Sequence, residues 1–171
     1  MRALHAAVAV AIMCHASLAG AQSAPSPASA RQAPDAARDG VRATIAALFD
    51  GMRAGDTTAM RATFMPGVVL LSVNSRQAPV RVDTTSMDDF LASVAQTKSR
   101  DPDLVLDERL GRVVIEVDDA LATAWTEYEF WAGERFSHCG ANTFNLIRTA
   151  EGWRIFQLAD SRRREGCSGG N

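Results

Sequence analysis

Between residues 104 and 162 the sequence is a series of long β-patterned runs separated by only two or three turn-forming residues. The runs cover 104–117, 121–131, 136–148 and 153–162, and the breaks are Asp118-Asp119, residues 132–134 and Ala150-Glu151-Gly152. Connections this short join antiparallel neighbours, because a parallel crossover needs a dozen residues or more. This part of the chain is therefore a four-stranded meander, with Gly111 marking a bend or bulge in its first strand.

The preceding part is helical in pattern. Val41, Ile45, Leu48, Phe49 and Met52 recur at helical spacing, and Gly55 is a natural stop. Asp56 can cap a short second helix over 57–64, Pro66-Gly67 breaks the chain, and 68–73 is an apolar, β-rich run. A turn over 75–78 leads to a short strand over 80–83. Thr85 or Ser86, with Asp88 or Asp89, then caps a third helix whose inner face carries Phe90, Leu91 and Val94. Helices first and long strands last predict an α+β domain: three N-terminal helices packed on a curved antiparallel sheet.

The first 21 residues read as a signal peptide. Arg2 supplies the positive start, residues 6–18 are almost unbroken apolar sequence, and Ala19-Gly20-Ala21 fits the small-x-small cleavage rule. The apolar run is shorter than the roughly 20 residues of a spanning helix. Cys14 follows Met13, which is not the small residue a lipidation site requires. Cleavage after Ala21 predicts an exported protein, periplasmic or secreted, with no membrane segment left. About 150 residues remain, enough for one domain. Residues 22–36 are rich in Ala, Ser and Pro and predict a disordered spacer, 37–165 the domain, and 166–171 a C-terminal tail.

The whole chain has a formal net charge of −2. That balance argues against nucleic acid as a partner, since clustered basic charge supplies most of that affinity. Arg162-Arg163-Arg164 is basic, but its members alternate faces in a strand. Two cysteines remain after cleavage, Cys139 and Cys167, and an oxidising compartment favours one disulfide between them over two free thiols. His138 is then the one remaining histidine, so zinc-type spacings are missing and no metal or cofactor is expected. No glycine-rich phosphate loop or nucleophile elbow occurs after the leader.

The early segment IAALFDGMRAGDTTAMRATFMPGVVLLSV resembles the opening of nuclear transport factor 2-like and SnoaL-like domains. The ending SHCGANTFNLIRTAEGWRIFQLADSRRREGC resembles their last hairpin, where Gly-Trp-Arg-Ile opens the final strand. The similarity covers about residues 41–163 and is greatest to a branch labelled "putative lumazine-binding". It implies a cone-shaped fold that usually encloses a pocket. It also implies a homodimer through the exposed face of the sheet. It does not imply one chemistry, because this fold hosts isomerases, dehydratases, cyclases, binding proteins and dimerisation modules.

Strand pairing picks out the residues that face such a pocket. If Thr149 pairs with Trp153, then Leu146 meets Phe156, Phe144 meets Leu158 and Asn142 meets Asp160. One face is then apolar near the hairpin, with Phe144 and Leu158. Farther on it is polar, with Asn142, Asp160, Arg162 and His138. For the neighbouring strand two registers stand open. A two-residue turn puts Trp125, Glu127 and Glu129 on the His138 face; a three-residue turn puts Tyr128 and Phe130 there.

Asp160 follows an apolar run, and burial would raise its pKa and suit it to acid–base work. The alternative is an ion pair with Arg162 that closes the strand end. His138 is either a proton shuttle or a structural histidine. Arg109 either reaches inward or forms a surface ion pair. Three functions follow: a domain binding a small apolar or aromatic molecule; a cofactor-independent isomerase, dehydratase or cyclase using Asp160 or His138; or a dimerising module whose cavity is filled by Phe64, Phe90, Phe144 and Phe156.

Overall fold

A computed structural model describes residues 27–75 and 78–170, with side chains from Asp35 to Gly169. The leader, its cleavage point and the start of the spacer lie outside the described residues. The elements are α1 (Pro27–Ala54), α2 (Thr57–Ala62), β1 (Val69–Asn74), β2 (Arg81–Ser86), α3 (Met87–Arg100), β3 (Leu106–Asp118), β4 (Leu121–Ala132), β5 (Arg135–Thr149) and β6 (Gly152–Arg162). The helical stripe is as expected: Val41, Ile45, Leu48, Phe49 and Met52 are all buried. Helix α1 starts earlier than expected, at Pro27, so the predicted spacer is helical from there on. Proline suits a first helical position and alanine favours helix, which outweighs the polar composition.

Local capping sets the other helices. Gly55, at φ +72°, ends α1 in the left-handed region. The Asp56 carboxylate accepts from the Ala59 N–H at 2.9 Å and starts α2. The Ser86 hydroxyl accepts from the Asp89 N–H at 3.1 Å and donates to the Asp89 carboxylate at 2.6 Å, starting α3.

The six strands form one sheet in the order β2-β1-β6-β5-β4-β3. The meander is antiparallel as expected, but β1 pairs parallel with β6, so the sheet is mixed. Short turns dictate direction only between consecutive strands. The β1–β6 pair is closed through α3 and the whole meander, and no turn constrains it.

Three bulges adjust the registers. In β3 the pairing shifts between Leu110 and Val113, at the Gly111 position. Between β4 and β5 the turn is the two-residue Gly133-Glu134, with Ala132 opposite Arg135 and Trp131 opposite Phe136. The register then slips at Ser137, so Phe130 lies opposite His138 and Tyr128 opposite Gly140. The short turn and the Tyr128 register, expected as alternatives, thus occur together. Between β5 and β6 the turn is again two residues, pairing Thr149 with Gly152 rather than Trp153, and Leu146 with Ile155 rather than Phe156. The slip after Ile155 leaves Phe156 exposed (39%) and restores Phe144 opposite Leu158 and Asn142 opposite Asp160.

Cys139 and Cys167 are joined by a disulfide across a sequence separation of 28. In the chain-entropy description a loop of that size contributes about 3.5 kcal/mol. The tail is tied again where the Gly169 N–H donates to Glu129 at 2.7 Å. No described helix is long and apolar enough to cross a membrane.

Gly140 has the least room for a side chain of the glycines in the sheet. A Cβ there would lie 1.7 Å from the Ser161 carbonyl oxygen and 2.8 Å from the Tyr128 ring. Gly140→Ala is expected to destabilise the fold by about 2–3 kcal/mol, an overpacking cost, measured as a drop in the urea midpoint.

Candidate functional site

The inner face of the sheet is ordered in cross-strand rows. Ala124, Phe144, Leu158 and Leu70 form an apolar row over β4, β5, β6 and β1. The next row along the same strands is polar: Thr126, Asn142, Asp160 and Ser72. A further row places Glu108 opposite Phe130 and Phe130 opposite His138. Helices α1 and α3 face these rows with Leu48, Phe49, Met52, Phe90 and Val94, enclosing a cavity of about 330 Å³.

At the polar end the hydrogen bonds converge on Asp160. It accepts from Ser72 Oγ at 2.5 Å, from the Tyr128 hydroxyl at 3.0 Å and from Arg162 Nε at 2.7 Å. The Tyr128 hydroxyl also lies 3.0 Å from the Ser161 carbonyl. Burial, then the charges of Asp160 and Glu108, push the Tyr128 pKa up, so it stays a phenol. Asp160, with its side chain 14% exposed, therefore forms the ion pair with Arg162 that stood as the alternative to an isolated acid.

The carboxyl that burial raises is Glu108, which is absent from the expected site. It lines the cavity, and Asn142 Nδ2 donates to its Oε1 at 2.7 Å. Burial pushes its pKa up to about 8; the Asn142 bond opposes this, the Asp160 charge adds to it and Arg162 opposes it. One signal was present in the sequence. Leu106 and Glu108 share a strand face, with Asp107 and Arg109 on the other, so an apolar strand face carries an acid. Arg109 points away, paired with Asp107 at 2.7 Å and lying over the Trp131 ring at 4.5 Å.

Six of the expected site residues line the cavity: Asp160, His138, Tyr128, Asn142, Arg162 and Leu158. The ring of His138 stands edge-on to Tyr128 at 5.7 Å and beside Phe130 at 5.2 Å, with its Nδ1 3.0 Å from Ser137 Oγ. Two expected residues do not line it. Trp125 is 45% exposed on the outer face of the sheet, because the Ser137 bulge turns the even-numbered residues of β4 inward. Phe144 has the expected register, but its ring packs edge-on against Phe49 at 6.2 Å inside the core. Of the four phenylalanines that would fill the cavity, only Phe90 lines it.

Residues 36–158 match the family model described as "Putative lumazine-binding". No curated protein matches the sequence. The chain is similar in structure to a protein from Streptomyces avermitilis described as a putative dehydratase of the nuclear transport factor 2-like family. The identity is 20%, over 76% of this chain and 98% of that one, with a TM-score of 0.57. It is also similar to a nuclear transport factor 2-like protein with a cystatin-like fold from Novosphingobium aromaticivorans, at 17% identity over 82% and 90%, TM-score 0.61. A further similar structure is a nuclear transport factor 2-like protein of unknown function from Pseudomonas putida, at 16% identity over 77% and 90%, TM-score 0.55. At these identities the likeness speaks for the fold.

Glu108 links stability to pH. Its folded pKa of about 8 lies above the ordinary 4.5, so its contribution is fully present below pH 4.5 and is lost as pH rises through about 8. Glu108→Gln is expected to flatten that decline and to melt higher than the parent protein above about pH 8, measured by thermal unfolding across pH.

Proposed function

The chain belongs to the family described as "Putative lumazine-binding", on the nuclear transport factor 2-like fold, and we propose that it is an exported domain that binds a small apolar or aromatic molecule in the cavity between its helices and curved sheet. One observation carries this reading: the cavity is open, apolar along its walls and polar at one end. A volume of about 330 Å³ lies within the range of small-molecule sites. Leu158 and Phe130 supply apolar contact, and Tyr128, Asn142, Arg162 and His138 supply orientation. Export agrees with the disulfide, which persists in oxidising compartments. A second copy of the chain is the proposed partner, through the outer sheet face bearing Trp125 and Val114; light scattering at a single-chain mass would overturn that part.

A second reading is a cofactor-independent acid–base enzyme of isomerase, dehydratase or cyclase type. It is favoured by two carboxyls in one cavity with opposite surroundings: Glu108 raised by burial, and Asp160 held by Arg162. Divergent environments are how two carboxyls divide acid and base roles.

Ser93 is an exposed residue of α3 at the cavity lining. Ser93→Trp is expected to weaken binding of an apolar fluorescent dye by about tenfold while leaving the melting temperature unchanged. Equal dye binding by both proteins would sink the cavity reading.

A further inference from the structure

Resting on the cavity reading above, we propose that the ligand is uncharged and carries a hydrogen-bond acceptor, such as a carbonyl, on its apolar body, and that Glu108 donates to that acceptor as a neutral carboxylic acid. The donor inventory of the polar end leads to this. Asp160 already accepts from Ser72, Tyr128 and Arg162, so its charge is spent within the protein. Arg162 is neutralised by the same pair. Asn142 Nδ2 serves both Glu108 Oε1 and Thr126 Oγ1, at 2.7 and 3.1 Å. With Oε1 held as an acceptor, Oε2 of Glu108 is the atom that can carry a proton and donate into the cavity.

The groups facing Glu108 are Tyr128 from β4, His138 and Asn142 from β5, and Asp160 and Arg162 from β6. The helices add apolar side chains and the hydroxyls of Ser93 and Thr97. An anionic ligand would meet Asp160 with its cation already engaged. A cation would have to shed its hydration between apolar walls beside Arg162. An uncharged acceptor meets neither cost and satisfies the Glu108 hydroxyl. The raised Glu108 pKa agrees with this arrangement.

The test uses four naphthalenes of one shape, bearing an acetyl, an ethyl, a carboxylate or an aminomethyl group. Their affinities are measured by calorimetry on the chain from Gln22 onward. The measurements at about pH 7 and about pH 9.5 stay above the ordinary histidine range. Acetylnaphthalene is expected to bind best at the lower pH and about tenfold or more weaker at the higher, as a donor titrating near 8 requires. Glu108→Gln keeps an N–H donor and is expected to bind it equally at both pH values. Should that variant not fold, the infrared carbonyl band of a protonated carboxyl in the parent protein, shifting on addition of acetylnaphthalene at about pH 7, reports the same contact, and its absence counts against it.

Tightest binding by the carboxylate or the ammonium probe would overturn the proposal. Equal, pH-independent binding of the acetyl and ethyl probes would overturn it while leaving the cavity reading intact. Failure of all four to bind would remove both.

Discussion

The β4–β5 and β5–β6 hairpins each close with a two-residue turn and then take up one extra residue, Ser137 in β5 and Phe156 in β6. Side chains alternate faces along a strand, so a slip of one residue exchanges the inner and outer sets of everything beyond it. The Ser137 slip turns Tyr128 and Phe130 toward the helices and Trp125 toward solvent. The Phe156 slip keeps Leu146 and Ile155 buried together near the turn and still brings Asn142 opposite Asp160. The cavity exists in its present form because both slips occur.

With the registers in place, each cross-strand row has one chemical character. The apolar row continues the core built on α1, and the polar row beside it runs over four strands to Ser72. Buried polar groups must be paired, and these are: Asp160 has three donors, and Asn142 bonds both Thr126 and Glu108. No described buried side-chain nitrogen or oxygen lacks a partner. Gly140 completes the arrangement, since only a residue without Cβ lets Tyr128 and the Ser161 carbonyl approach β5 from either side.

Two carboxyls in one cavity have different fates because their neighbours differ. Asp160 accepts hydrogen bonds from a guanidinium, a hydroxyl and a phenol, whereas Glu108 accepts from the Asn142 amide and meets Asp160 and Arg162 through charge alone. Burial then favours the uncharged form of Glu108. An acid with a raised pKa next to the Asp160–Arg162 ion pair leaves the polar end of the cavity with little net charge.

The apolar stripe of α1, the Asp56 cap, a cap at Thr85 or Ser86, the order of the meander strands, a bend or bulge at Gly111 and the Cys139–Cys167 pair were legible in the sequence, whereas the start of α1 and the two-residue length of the last turn were not. Each legible feature rests on spacing, on residues adjacent in the chain or on cysteine count, and local sterics and hydrogen bonding settle such features. Asp160, His138, Asn142 and Leu158 were legible as a shared face for the same reason, once one hairpin register was assumed. The parallel β1–β6 pair, the slips at Ser137 and Phe156 and the partial burial of Glu108 were decided by tertiary structure. Each depends on which distant segments pack together, and neither a turn nor a periodicity carries that information. Leu106-Asp107-Glu108 showed that an acid shared a face with leucine, but only the helices closing over that face made it a half-buried acid with a raised pKa.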